Sequence, residues 1–310
     1  MKHSLNSYPI LWMVIPVFLT VVGILVGSFQ DYALSSAIVN VNNGYGRFIE
    51  TFGMAIGNCI IMVGVSAVWM GLFDRKSLIA KIVGWFILLL GAAATVFFIY
   101  RQIAMTQSTG LDQVYGFRVN KVVGILLSIL FTAVAFSLTF FLGKRDDADL
   151  LVKIGAILLL AVLLQYLLVH FIKAEAGRPR FRYLIDSTLN QGNEKFRSFW
   201  EWQSGFKDDS HRSWPSGHSA TAAVLILLPL LHPLFRHPLK HGSLILYLVG
   251  FAYYLAVAYG RVRVGAHFLT DVSWGGFFGF LMCFLSLSIV NLIVDKITSK
   301  SRKKDEKEPA

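Results

Sequence analysis

Eight stretches of this chain contain no Asp, Glu, Lys or Arg: 10–30, 51–73, 82–100, 122–143, 154–172, 213–235, 241–260 and 272–294. Each supplies the roughly 20 apolar residues that a helix needs to cross about 30 Å of hydrocarbon. The expected fold is therefore all-α, a polytopic bundle of about eight transmembrane helices. A chain that is 55% hydrophobic with a mean hydropathy of +0.60 lies far outside the range of soluble domains. The first stretch reads as a retained anchor. It is long, carries Pro16 with Pro9 just before it, and has no A-x-A cleavage pattern before Asp31.

The two cysteines, Cys59 and Cys283, both fall in apolar segments, where a thiol behaves as a small hydrophobe. Neither a disulfide framework nor a metal cluster is expected from them. A net charge of +11 raises the question of a nucleic-acid partner. The basic residues are scattered over loops and the C-terminus, which fits membrane topology and an anion site better, so no nucleic-acid partner is expected.

Lys and Arg in short loops are retained on the cytoplasmic side. With eight alternating helices, the basic loops 74–81, 143–153 and 236–242 and the end of the chain all fall on one side. That side is expected to be cytoplasmic, with both termini on it. A multi-pass cell-membrane protein results, comprising one domain over 1–295 and a charged cytoplasmic tail over 296–310. The loops 31–50, 101–121, 173–213 and 261–267 then face outward. Two of these are basic against the rule, so their charges are expected to serve a local purpose.

Ionisable groups at a membrane boundary are costly and point to function. Three clusters share the outward side. "FIKAEAGRPRFR" carries Lys173, Arg178, Arg180 and Arg182; "PSGH" is Pro215 to His218; "YGRVRVGAHFLTD" carries Arg261, Arg263, His267 and Asp271. Guanidinium and ammonium groups gathered at one point bind a multiply charged oxyanion. Pro215 suits a first helical turn, Gly217 allows close backbone approach, and the Ser216 hydroxyl has one more bond to offer. Lys173, Arg180, Ser216, Gly217 and Arg261 are thus the expected phosphate cradle.

His267 and Asp271 are four residues apart, one turn on a helix. A carboxylate that accepts the Nδ1 proton leaves Nε2 free to attack phosphorus, which makes His267 the expected nucleophile. His218 is the expected general acid for the departing alkoxide. The scheme requires no metal and no cofactor. Taken singly, each cluster has a plain structural reading as a helix start, a helix-surface pair or a lipid-phosphate anchor. Their convergence on one face favours a site.

Together the clusters resemble the signature of the type 2 phosphatidic acid phosphatase superfamily, which shares its site with the vanadium haloperoxidases. That signature reads Lys-x6-Arg-Pro, Pro-Ser-Gly-His, then Ser-Arg-x5-His-x3-Asp. Lys173 and Arg180, Pro215 to His218, and Arg261, His267 and Asp271 match it, whereas Phe181 and Gly260 replace its proline and serine. The resemblance covers about 151–295. It implies a six-helix core and metal-independent hydrolysis of phospholipid or isoprenoid phosphates or diphosphates through a phosphohistidine. Lipid phosphotransfer from the same site and non-catalytic carriage of an anionic lipid are the alternatives. The segment "FRSFWEWQSGF" (196–206) is expected to be an interfacial amphipathic helix held by its tryptophans, a placement also compatible with a lid or wall that grips a lipid chain.

Overall fold

The computed structural model describes residues 11–105, 117–187, 190, 194–206 and 208–305. Long helices dominate it: α1 (Leu11–Ile38), α2 (Gly44–Phe73), α3 (Leu78–Met105), α4 (Lys121–Leu142) and α5 (Ala148–Ala176). A short α6 (Phe181–Leu184) follows, then α7 (Gly217–Ala223), α8 (Gly242–Arg263) and α9 (Leu269–Asp305). Eight spans are long and apolar enough to cross a membrane, one of them made of α7 and its continuation. The all-α polytopic bundle and its multi-pass character stand as expected. No strand is present among the described residues, only an isolated bridge between Gly143 and Phe235.

The helices overrun the charge-free stretches. Asp31 belongs to α1 and Glu50 to α2, rather than to a loop over 31–50. Both carboxylates are buried and hydrogen-bonded to cations, which offsets the cost of removing them from water. At its other end α9 continues as helix through Asp305, so most of the expected charged tail is helical and only 306–310 lie outside the described residues.

The centre of the bundle is α2, packed against α3, α4, α5, α7 and α8. Lipid offers little hydrophobic drive between helices, so close backbone approach through small residues matters more. The α2–α5 contact shows it: a Cβ at Gly155 would lie 2.5 Å from the Gly64 carbonyl oxygen. The outer helices instead turn large apolar side chains outward, Phe18, Phe29, Phe86 and Leu89 among them.

The sixth span departs from the expected helix from 213. Ser216 is its N-cap, its Oγ accepting from the Ser219 amide at 3.3 Å, so Pro215 lies before the cap and not in the first turn. Beyond Ala223 the span tightens into a 3-10 helix over Val224–Leu234, where Pro229 and Pro233 have no N–H to give an α-helical ladder.

The segment 196–206 is not helical. Its aromatics lie over the site end of the bundle: Phe196 packs on Phe268 at 5.2 Å, Phe199 on Trp214 at 5.9 Å, and Phe206 stacks on His211 at 4.0 Å. These contacts are set by scattered partners, not by a repeating helical face.

Candidate active site

Backbone hydrogen bonds stitch the three clusters to one another. The Ser213 amide donates to the Arg178 carbonyl at 3.1 Å, and the Arg180 amide to Ser210 at 2.8 Å. The Arg182 amide donates to Gly265 at 2.9 Å and the Ser216 amide to Asp271 at 2.9 Å. The expected site residues therefore share one end of the bundle.

Lys173 sits in the last turn of α5, its Nζ donating to the Arg212 carbonyl at 2.8 Å. Gly177 ends that helix in the left-handed conformation (φ 57°) and turns the chain into the arginine run. Arg180 donates from Nε to the Asp209 carbonyl at 2.8 Å and from Nη2 to its carboxylate at 2.7 Å. Burial would raise the Asp209 pKa, but Arg180, Arg182 and Lys173 outweigh it and hold the carboxyl below its usual range. Arg261, in the last turn of α8, ion-pairs through Nη1 with Glu50. Arg182 reaches the same carboxylate at 3.3 Å.

Within the expected cradle, two buried guanidinium nitrogens, Nη1 of Arg180 and Nε of Arg261, have no hydrogen-bond partner among the described residues. Leaving a charged donor unsatisfied costs free energy, which a bound oxyanion can relieve.

His267 lies in the turn between α8 and α9, not on a helix, and is 1% exposed. The expected one-turn spacing with Asp271 is corrected accordingly. Asp271 sits in the first turn of α9 and reaches back to the Phe268 amide at 2.8 Å, half of a capping box. Its other partners are Ser213 Oγ and Arg178 Nη1, each at 2.5 Å. His267 Nδ1 stands 3.7 Å from Asp271 Oδ2 with no hydrogen bond of its own. The carboxylate is within ion-pair reach but does not hold the ring in this state. Burial, with repulsion from Arg261, Lys173, Arg180 and His218, holds His267 well below the usual histidine range, so the ring is neutral near pH 7.

His218, in the first turn of α7, has Nε2 at 3.0 Å from Gln102 Nε2 and 3.3 Å from the Glu50 carbonyl oxygen. Gln102 also donates to that carbonyl at 3.0 Å. Ser216 Oγ accepts from Ser219 Oγ at 3.1 Å as well as from its amide. Ser216 is thus occupied in capping, whereas Gly217 and His218 line a cavity with Lys173, Asp209 and Arg212.

Asp31, Glu50, Gln102 and the bridging role of Arg178 escaped the sequence reading. The only signal for them was the cost of placing polar groups beside long apolar runs. No group of three or more His, Cys, Asp or Glu side chains with metal-binding geometry occurs among the described residues.

Residues 154–295 match the model of the PAP2 superfamily. Over that stretch the chain is a PAP2 superfamily member. Superfamily members are phosphatases, which supports phosphoester hydrolysis as the activity here. No curated protein and no solved structure matches the chain. All eight expected site residues lie inside the matched stretch, and Asp31, Glu50 and Gln102 lie outside it.

The two departures from the signature have local explanations. Phe181 opens α6 in a position that suits proline, and packs instead on Tyr32 and Phe268 at 5.6 and 6.0 Å. A Cβ at Gly260 would meet Ile49 of α2 at 2.7 Å, so the PAP2 serine gives way to the residue that lets α2 approach.

Proposed function

We propose that this PAP2 protein hydrolyses a lipid phosphate or diphosphate at the non-cytoplasmic membrane face through a phosphohistidine. The observation that carries the reading is the pair of unsatisfied buried guanidinium nitrogens, on Arg180 and Arg261, beside two histidines.

Phosphate oxygens bind Arg180, Arg261 and Lys173. His267 Nε2 attacks phosphorus, forming a P–N bond as the P–O bond to the leaving group breaks. The proton on His218 passes to the departing oxygen. In the second half, water attacks phosphorus, the P–N bond breaks, and the water's proton returns to His218. Charge on the equatorial oxygens meets the guanidinium donors, where transition-state stabilisation is greatest. Asp271, held by Arg178 and Ser213, steadies the cationic phosphoimidazole as His267 closes the 3.7 Å gap; hydrogen bonds of this kind commonly tighten only once substrate is bound. The Glu50 carboxylate on Arg261 holds a place that substrate oxygens take over, one anion exchanging for another.

The lipid nature of the substrate is supported by the setting, because the site caps eight membrane-spanning helices. The outward face is supported by charge. The basic loops after α2, after α4 and before α8 gather at the other end of the bundle, where Arg75 pairs with Asp149 at 2.5 Å and the Arg236 amide donates to Leu142 at 2.9 Å.

The test is turnover of purified protein on lipid phosphates with chelator present. Activity that is inhibited by vanadate and lost in both His267→Ala and His218→Ala is expected; wild-type turnover in either variant would overturn the mechanism. Orientation is read by an impermeant thiol reagent, which should label a cysteine at the exposed Ser204 from outside but not one at the exposed Ser299.

A further inference from the structure

The cavity beside His218 contains more positive charge than one phosphate requires. Its lining includes Lys173, Arg101 and Arg212. Neither Arg101 nor Arg212 is ion-paired among the described residues, and Arg101 is held by Nη1 at 3.1 Å from the Tyr166 hydroxyl. The one carboxylate in the lining, Asp209, is already taken by Arg180. His170, stacked on Tyr166 at 3.8 Å, lies among these cations.

The position of this charge is informative. The cavity wall includes His218 but not His267. In an in-line displacement the leaving group departs opposite the nucleophile and beside the acid, so the cavity lies on the leaving-group side. Beyond it, Asn58, Phe98 and Tyr166 are shared with a second, mostly apolar cavity whose other walls are Ile61, Leu159, Val162, Leu163 and Gln165. The order from the nucleophile outward is therefore phosphate cradle, acid, a cationic cavity that shares Lys173 and Gly217 with the cradle, then an apolar groove between α2, α3 and α5.

We infer that Arg101 and Arg212 form a second anion subsite, which selects substrates carrying another phosphate group between the scissile phosphate and the hydrocarbon chain. This rests on the phosphatase reading above and narrows it. Two sources have that chemistry: a lipid diphosphate, and a phospholipid whose headgroup ends in a second phosphate. Arg101 belongs to α3, outside the PAP2 match, so the subsite is assembled partly by helices that the family segment does not include.

The test compares kcat/KM for an isoprenoid diphosphate, an isoprenoid monophosphate of equal chain length, and a phosphatidylglycerophosphate, in wild type, Arg101→Gln and Arg212→Gln. Loss of one charge-assisted contact is expected to lower the ratio of bis-phosphorylated to monophosphate substrate about tenfold. Which of the two bis-phosphorylated substrates loses more identifies the source. Inhibition by imidodiphosphate relative to inorganic phosphate should weaken in parallel, a readout that does not require turnover. An unchanged ratio in both variants, with wild-type turnover intact, would overturn the subsite alone. Absence of wild-type turnover on all three substrates would overturn the phosphatase reading and the subsite with it.

Discussion

Arg178 donates from Nη1 to Asp271 Oδ1 at 2.5 Å and, through Nη2, to Asp31 Oδ2 at 2.9 Å, so one guanidinium joins the α9 carboxylate of the site to a carboxylate of α1. All three side chains are almost wholly buried. Phe268 covers the guanidinium face with its ring centroid 4.2 Å away. Two carboxylates sharing one forked cation are stable only while that cation is present.

Removing it should be costly. Arg178→Met leaves two buried carboxylates facing each other, with an expected loss of about 3–5 kcal/mol, the usual cost of breaking a buried pair from one side. Arg178→Lys restores charge but not the fork and should fall between the two. Thermal unfolding in detergent and kcat/KM, measured together, check the order; a Met variant as stable as wild type would contradict it.

Gly177 turns the chain into the Arg178–Arg182 run. Its φ is 57°, and a Cβ would lie 1.8 Å from the Gln203 carbonyl oxygen. Gly177→Ala should therefore displace Arg178 and Arg180 together. The expected result is a lower unfolding temperature and a drop in kcat/KM of at least about tenfold, since positioning errors of about 1 Å cost more than that.

Much of this arrangement was legible in the sequence, and the remainder shows where sequence reading stops. The eight apolar runs and the spacings Lys173 to Arg180 and His267 to Asp271 are local, so one chain suffices to see them. Glu50 meets Arg261 across 211 residues and Asp31 meets Arg178 across 147, and no local pattern connects such partners. For that reason Asp31 and Glu50 read as loop residues, and Arg178 falls outside the expected cradle. His267 looked helical because its spacing to Asp271 is one turn, yet α9 starts after it, and Asp271 caps that helix through the Phe268 amide instead.

The acid limb of the reaction should be displaced. His267 is outside the membrane-spanning helices and held well below its usual pKa of about 6.5 by burial and neighbouring cations. The neutral nucleophile then persists below pH 6.5, so the acid limb of kcat/KM should lie beneath that value. For stability the sign is the same. The unfolded chain takes a proton near 6.5 and the folded one does not, so stability falls as pH drops from 6.5 toward the folded pKa. A pH–rate profile with an acid limb at or above 6.5 would contradict this.

Glu50 competes with substrate for Arg261 and Arg182. Glu50→Gln removes a negative charge from the cradle, and inhibition by inorganic phosphate should tighten several-fold. Weaker phosphate inhibition in the variant would instead assign Glu50 to holding the two arginines in place.

The covalent role of His267 admits the most direct measurement. Wild-type protein is mixed with a lipid phosphate labelled on phosphorus, quenched in alkali within the first turnovers and digested. Label on the peptide that contains His267, absent from His267→Ala, is the expected result. No labelled peptide in the wild type, together with undiminished turnover in His267→Ala, would contradict it.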